Sequence, residues 1–158
     1  MEYSLCYQEW SEADRRVVRL VDQATVSREE LFIRKLVNAT LIRNQLYVHS
    51  SNESENFELH HIYVAPFDAR NQPYGEAIRE AAFEYCSVSA RIEAEWKVYD
   101  GSYFVNTELI APDDGLIDIA RMLLDHYLII EGHTYETIYS LLDNDRNKVV
   151  FYVREVDI

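Results

Sequence analysis

Val88-Ser-Ala-Arg-Ile-Glu-Ala-Glu-Trp-Lys-Val-Tyr-Asp-Gly-Ser-Tyr-Phe-Val-Asn-Thr-Glu-Leu-Ile110 is the stretch that decides the fold class. Val88, Ala90, Ile92, Ala94, Trp96 and Val98 alternate with Ser89, Arg91, Glu93, Glu95 and Lys97. A period of two marks a strand with one buried face. Asp100-Gly101 then supplies the pair that a two-residue primed turn favours, and Ser102 to Leu109 reads as the return strand. That loop length sets Val98 against Tyr103, Trp96 against Val105, Ala94 against Thr107 and Ile92 against Leu109, all on one side of the ribbon. The other side carries Glu93, Glu95, Tyr99, Phe104, Glu108 and Ile110, with Glu93 opposite Glu108. Two large apolar residues there imply that this side is partly covered.

Upstream, Ser11-Glu12-Ala13-Asp14 has the form of a capping box. Val17, Val18, Leu20, Val21 and Ala24 follow at helical spacing. Ser27-Arg28-Glu29-Glu30 starts a second helix, expected to reach Ile42, so residues 1–44 read as a helix pair, preceded by a short strand where Tyr3, Leu5 and Tyr7 alternate with Ser4, Cys6 and Gln8. Leu46 to His49 and Phe57 to Ala65 read as strands paired across a polar loop, residues 50–56. Tyr74 to Cys86 reads as a helix. Another is expected from Pro112, with Asp113 and Asp114 in its first turn and Leu116, Ile119, Ala120, Leu123, Leu124 and Tyr127 on its apolar face. Thr134 to Leu142 suits either helix or strand. Strand is preferred, because residues 143–147 make a hairpin loop and Lys148 to Val156 is strongly β-prone. No internal repeat is visible. The expected architecture is α+β: a mostly antiparallel sheet built from hairpins, with helices packed on one face. All 158 residues are expected to form one domain, an N-terminal helix pair followed by an acidic hairpin and helix region.

Net charge is −13 and unevenly placed. Residues 1–44 hold seven basic and seven acidic side chains, and residues 45–158 hold eight and 21. Such a field repels nucleic acid and anionic membrane and attracts basic protein. Glu76, Glu80 and Glu84 repeat every four residues, and Asp114, Asp118 and Asp125 make a second acidic row. Like charges at that spacing cost a few tenths of a kcal/mol per pair. A solvated face bears this, as does a surface built for a cationic partner. Twelve tyrosines also suit a binding surface. There is no basic start followed by an apolar run, so the expected compartment is the cytosol. Cys6 and Cys86 read as reduced thiols.

Motifs for chemistry are weak. Asp143, Asp145 and Asn147 copy the first ligands of a calcium loop, but Lys148 stands where glycine is required and Arg154 where a bidentate glutamate is required. His60 and His61 are neighbours on a strand and so point to opposite faces. No metal site, catalytic set or cofactor is expected. The four glycines, Gly75, Gly101, Gly115 and Gly132, form no phosphate-cradling loop.

The function expected from these features is non-catalytic binding. The chain reads as a small acidic inhibitor of a basic, nucleic-acid-handling protein, of the immunity or anti-defence kind, with carboxylates standing in for phosphates. Its expected surface is Glu76, Glu80, Glu84, Glu93, Glu95, Tyr99, Phe104, Glu108, Asp114, Asp118 and Asp125, and a homodimer is compatible with it. The alternatives are an acidic chaperone for a secreted protein, and a small-molecule binder or enzyme using His60 or His61, His126 or His133.

Overall fold

The computed structural model describes residues 1–108 and 115–157. The elements run β1 (Glu2–Ser11), β2 (Arg16–Ser27), α1 (Arg28–Leu36), β3 (Ala39–Ile42), β4 (Gln45–Glu55), β5 (Leu59–Pro66), α2 (Gly75–Ala82), β6 (Glu93–Tyr99), β7 (Phe104–Thr107), α3 (Leu116–Leu123), β8 (Tyr127–Ile130), β9 (His133–Asp143) and β10 (Lys148–Val156). The strands form one sheet in the order β2-β1-β5-β4-β3-β9-β10-β6-β7, with β8 alongside β9. The sheet is largely antiparallel but mixed: β1 with β5, β3 with β9 and β6 with β10 are parallel.

The chain uses one topology twice. Strand, strand, helix and three strands occur as β1-β2-α1-β3-β4-β5 and again as β6-β7-α3-β8-β9-β10. In each unit the first strand pairs antiparallel with the second and parallel with the last, and the last three form a meander. The matching helices and middle strands keep a constant offset, with starts at 28 and 116, 39 and 127, and 45 and 133. Both units turn between their third and fourth strands through two residues of positive φ, Arg43-Asn44 and Glu131-Gly132, the primed geometry that matches strand twist. Along residues 28–55 and 116–143 only Leu36 and Leu124, Ile42 and Ile130, and Tyr47 and Tyr135 are identical. The duplication is therefore carried by topology, and the sequence reading misses it.

Residues 11–27 are not helical. β1 and β2 make a hairpin whose register shifts between Tyr7 and Gln8 and between Glu9 and Trp10. Each shift breaks the period of two, and the broken alternation of Val17, Val18, Leu20 and Val21 imitates helical spacing. The first capping signal is a real local bond, Asp14 N–H to Ser11 Oγ at 3.1 Å, but it closes a turn. The second is a helix cap: Glu30 N–H donates to Ser27 Oγ at 3.1 Å. α1 stops at Leu36 rather than Ile42, and residues 50–55, read as loop, extend β4. Thr134 to Leu142 is strand, within β9. The expected start of the third helix at residues 112–114 lies outside the described residues; its end comes at Leu123, and Tyr127, expected on its apolar face, begins β8.

The central hairpin differs by two positions from its expected register. Tyr99 pairs with Phe104, Val98 with Val105 and Trp96 with Thr107. Asp100 causes this: its Oδ1 accepts the N–H groups of Ser102 and Tyr103, which widens the loop to four residues. A slip of two keeps Phe104 to Thr107 on their expected faces; Leu109 and Ile110 lie outside the described residues.

Helices lie on both faces of the sheet, not one. α1 and α3 pack together on a front face, where Ile33, Val37, Ile119 and Met122 meet Trp96, Leu142, Val149, Phe151 and Val153. α2 covers the back face of the second unit: Ile78, Ala81 and Ala82 meet Leu141, Val150, Tyr152 and Phe104. Leu141 and Leu142, or Phe151 and Tyr152, are sequence neighbours, so they necessarily feed opposite layers. Among the described residues no helix is long and apolar enough to cross a membrane.

Candidate binding surfaces

The first unit repeats the second, but α2 covers its back only in part: Ala39, Leu41 and Leu46 of β3 and β4 join the α2 cluster, and among the described residues none of β1, β2 or β5 does. α1 is the helix that packs on β1 and β2, and it does so from the front, where Leu31 joins Leu5, Tyr7, Val26, Ile62 and Val64. On the back, parallel pairing places Gln8 beside Tyr63 and Cys6 beside His61. The second unit places Lys97 beside Tyr152 in the same way. Tyr63 therefore occupies the position of Tyr152, and Trp10 that of Tyr99. Tyr152 is fully buried under α2, whereas Tyr63 and Trp10 are half-exposed. Tyr99 is itself half-buried, so the asymmetry lies in the tyrosine pair: Tyr152 is sealed under α2 and Tyr63 reaches solvent.

That open face is ordered by its own contacts. Trp10 meets Tyr63 edge-on at 6.0 Å, and His61 stacks on Tyr63 at 6.1 Å. Gln8 Nε2 lies 2.9 Å from His61 Nδ1, and Glu55 lies 3.4 Å from His61 Nε2. Tyr63 donates its hydroxyl to Glu53 at 3.3 Å. Proximity of Glu53 and burial both push the Tyr63 phenol above its ordinary value, burial more strongly. Val17 and Leu20, opposite Trp10 and Gln8 on β2, extend the apolar surface to the sheet edge, and Leu20 is 52 % exposed.

The carboxylates expected to form one docking surface divide between two faces. Glu76 and Glu80 are exposed on α2. Glu84 lies 3.4 Å from Lys97, Glu93 lies 3.6 Å from Lys148, and Glu95 is half-buried beside Lys97 and Arg146. Glu108 is exposed beyond β7. Asp118, on front-face α3, is 3.6 Å from Arg121, and Asp125 follows that helix half-buried. Asp114 is outside the described residues. Phe104 is 2 % exposed, packed against Tyr74, Tyr99 and Tyr152 beside α2, and so offers no docking surface. Trp10 and Tyr63 are not singled out by the sequence, and His61 is singled out only as a small-molecule or catalytic histidine, although all three fall on one face of β1 and β5. What hid that face was the reading of β2 as a helix.

α2 is held at its C-terminal end by cations from the sheet. Arg146 donates to the carbonyls of Glu84 and Ala82 at 2.7 and 2.9 Å, and Lys97 reaches that of Ala81 at 3.5 Å. Ala82 ends α2, where a helix leaves its last carbonyls without intrahelical partners; the Ala81 carbonyl also accepts the Glu84 N–H at 3.3 Å. Arg146 is itself fixed by Asp143 at 2.7 Å, so the calcium-like loop is a structural clasp. Cys6 and Cys86 are both free, and burial raises the Cys86 thiol.

The histidines are dispersed. His60 faces front against Tyr3 and Lys35, and His61 faces back. His133 pairs with Glu155 and His126 is exposed. Among the described residues no three metal-ligating side chains come together. Comparisons of the chain with protein-family models, curated proteins and solved structures return no match.

Proposed function

We propose that this protein is a non-catalytic binding module whose partner presents a basic amphipathic helix to the back of β1, β2 and β5 in the first unit. The observation carrying this reading is the paired use of one topology, once with a helix over its back aromatics and once without. In the covered unit the occupant is α2, which offers Ile78, Ala81 and Ala82 at helical spacing. The first unit presents Trp10 and Tyr63 at the equivalent positions, flanked by Val17 and Leu20. Burying such aromatics contributes strongly to interface energy.

Charge selects the partner. Glu53, Glu55 and Glu58 stand exposed at one end of this face, in a chain of net charge −13. A helix with lysine or arginine beside its apolar stripe matches both features. Where such a helix contacts nucleic acid, covering it makes the protein an inhibitor, the immunity or anti-defence role expected from composition.

The test is titration of the purified protein with a synthetic helix carrying leucine and alanine at the α2 spacing and lysine elsewhere. Binding is expected to weaken with salt and to fall in a Glu53→Gln/Glu55→Gln variant. A Glu76→Gln/Glu80→Gln variant is expected to bind as the parent. Equal loss in both variants, or docking of a second copy of the chain in place of the peptide, rejects the proposal.

A further inference from the structure

A separate groove lies on the front face, between α1 and the end of the β4–β5 hairpin. It encloses about 490 Å³, within the range of small-molecule sites. Its apolar wall is Tyr3, Leu31, Phe32, Leu36 and Phe57. Its polar lining is Arg28, Lys35, Asn52 and His60, so among the described residues a strongly acidic chain lines this groove with cations and no carboxylate.

Lys35 is the centre of the polar end. Its Nζ lies 2.7 Å from His60 Nδ1, 3.2 Å from Ser54 Oγ and 3.5 Å from the Glu53 carbonyl. Among the described residues no carboxylate pairs with it. Burial lowers the Lys35 ammonium below its ordinary value, the mark of a cation losing water without a counter-charge. His60 is buried, and its Nε2 has no hydrogen-bond partner among the described residues. Arg28, by contrast, is an exposed residue engaged with Glu29 at 3.3 Å.

Phe57 adds an independent observation. The Glu55–Glu58 turn has positive φ at both central residues, Asn56 and Phe57. Asparagine accepts that geometry, whereas a bulky aromatic is strained in it. Phe57 is also 87 % exposed, so packing within the chain does not account for its presence. It stands over the groove with Phe32, itself half-exposed.

We infer that this groove binds a single-chain amphiphilic carboxylate, with the carboxylate on Lys35 and the hydrocarbon between Phe32 and Phe57. The anion supplies the missing counter-charge, and the chain covers two aromatics that otherwise face water. The site lies on the opposite side of the sheet from Trp10 and does not depend on the proposed protein docking.

The experiment is calorimetric titration of the full chain with decanoate, decanol and decyltrimethylammonium, with amide NMR to locate the shifts. Decanoate is expected to bind most tightly and to shift residues 31–36 and 57. Lys35→Met is expected to weaken decanoate about tenfold and leave decanol unchanged, while Lys35→Arg retains binding. Phe57→Asn relieves the turn, so it is expected to fold at least as stably as the parent and bind decanoate more weakly. Equal affinity for all three probes, decanoate binding unaffected by Lys35→Met, or shifts confined elsewhere overturns the inference. So does co-sedimentation with phosphatidylglycerol vesicles by a protein that does not bind free decanoate.

Discussion

Asp145 holds Asn44 across the boundary between the two units. One carboxylate oxygen accepts the backbone N–H of Asn44 at 2.7 Å, and the other accepts that of Arg43 at the same distance. These are the central residues of the first unit's primed turn, and Asp145 belongs to the last hairpin loop of the second. Next to it, the Asn144 N–H donates to the Leu41 carbonyl, and its Oδ1 accepts from buried Arg34 at 2.9 Å. Asp145→Ala is expected to cost about 1–2 kcal/mol, since charge-assisted bonds are strong but this one is exposed to water. A urea midpoint that falls with unchanged slope would show it; an unchanged midpoint would remove the clasp from the account.

Arg146 should be more expensive to remove. It ties α2 to the sheet and neutralises Asp143, which is 2 % exposed. Arg146→Ala leaves that carboxylate buried without its cation, a change worth about 3 kcal/mol or more. Hydrogen exchange should show α2 opening first. A uniform loss of protection across the sheet, with no excess at α2, would contradict its anchoring role.

Gly75 begins α2 where the chain nearly touches itself. A Cβ there would overlap the carbonyl group of Ala69. Gly75→Ala is therefore expected to destabilise the protein by about 1–3 kcal/mol, despite alanine's better helix propensity. A rise in thermal midpoint would show that the Ala69–Asn71 turn yields freely.

His49 sets an acid limit. It is half-buried in the front layer, with Nε2 2.7 Å from Thr40 Oγ1, and burial lowers its pKa from 6.5 to about 4. The unfolded chain therefore takes up this proton first as pH falls. Stability is complete above about 6.5 and declines toward 4, by about 3 kcal/mol in all. His60, also lowered by burial, acts in the same direction. His49→Gln should flatten most of this decline in denaturation series between neutral pH and pH 4. An unchanged slope would place the acid sensitivity elsewhere.

How far the sequence could be read follows from what each signal measures. Alternation from Ile92 to Val98 reports one buried face, and that face is the core. β10 is legible for the opposite reason, because Val149 to Val153 are buried on both sides and form a continuous apolar run. The β1–β2 hairpin is hidden by its bulges, and the polar end of β4 by Ser50 to Glu55, which pair as strand with little to bury. Trp10 and Tyr63 meet through a parallel pairing of strands some fifty residues apart, which no local pattern encodes. Glu76 and Glu80 on α2 and Asp118 on α3 belong to two acidic rows in the sequence, yet the sheet separates the two helices.

Docking on the back of β1, β2 and β5 is tested most directly by the two tryptophan indole N–H signals in an NMR titration. Trp10 lies on that face, while Trp96 is 3 % exposed and stacked on Phe151 at 4.1 Å. On addition of the lysine-rich amphipathic helix, the Trp10 signal should move with saturation and the Trp96 signal should stay fixed. A stationary Trp10 signal, with shifts gathered instead around Glu76 and Glu80, would contradict the account.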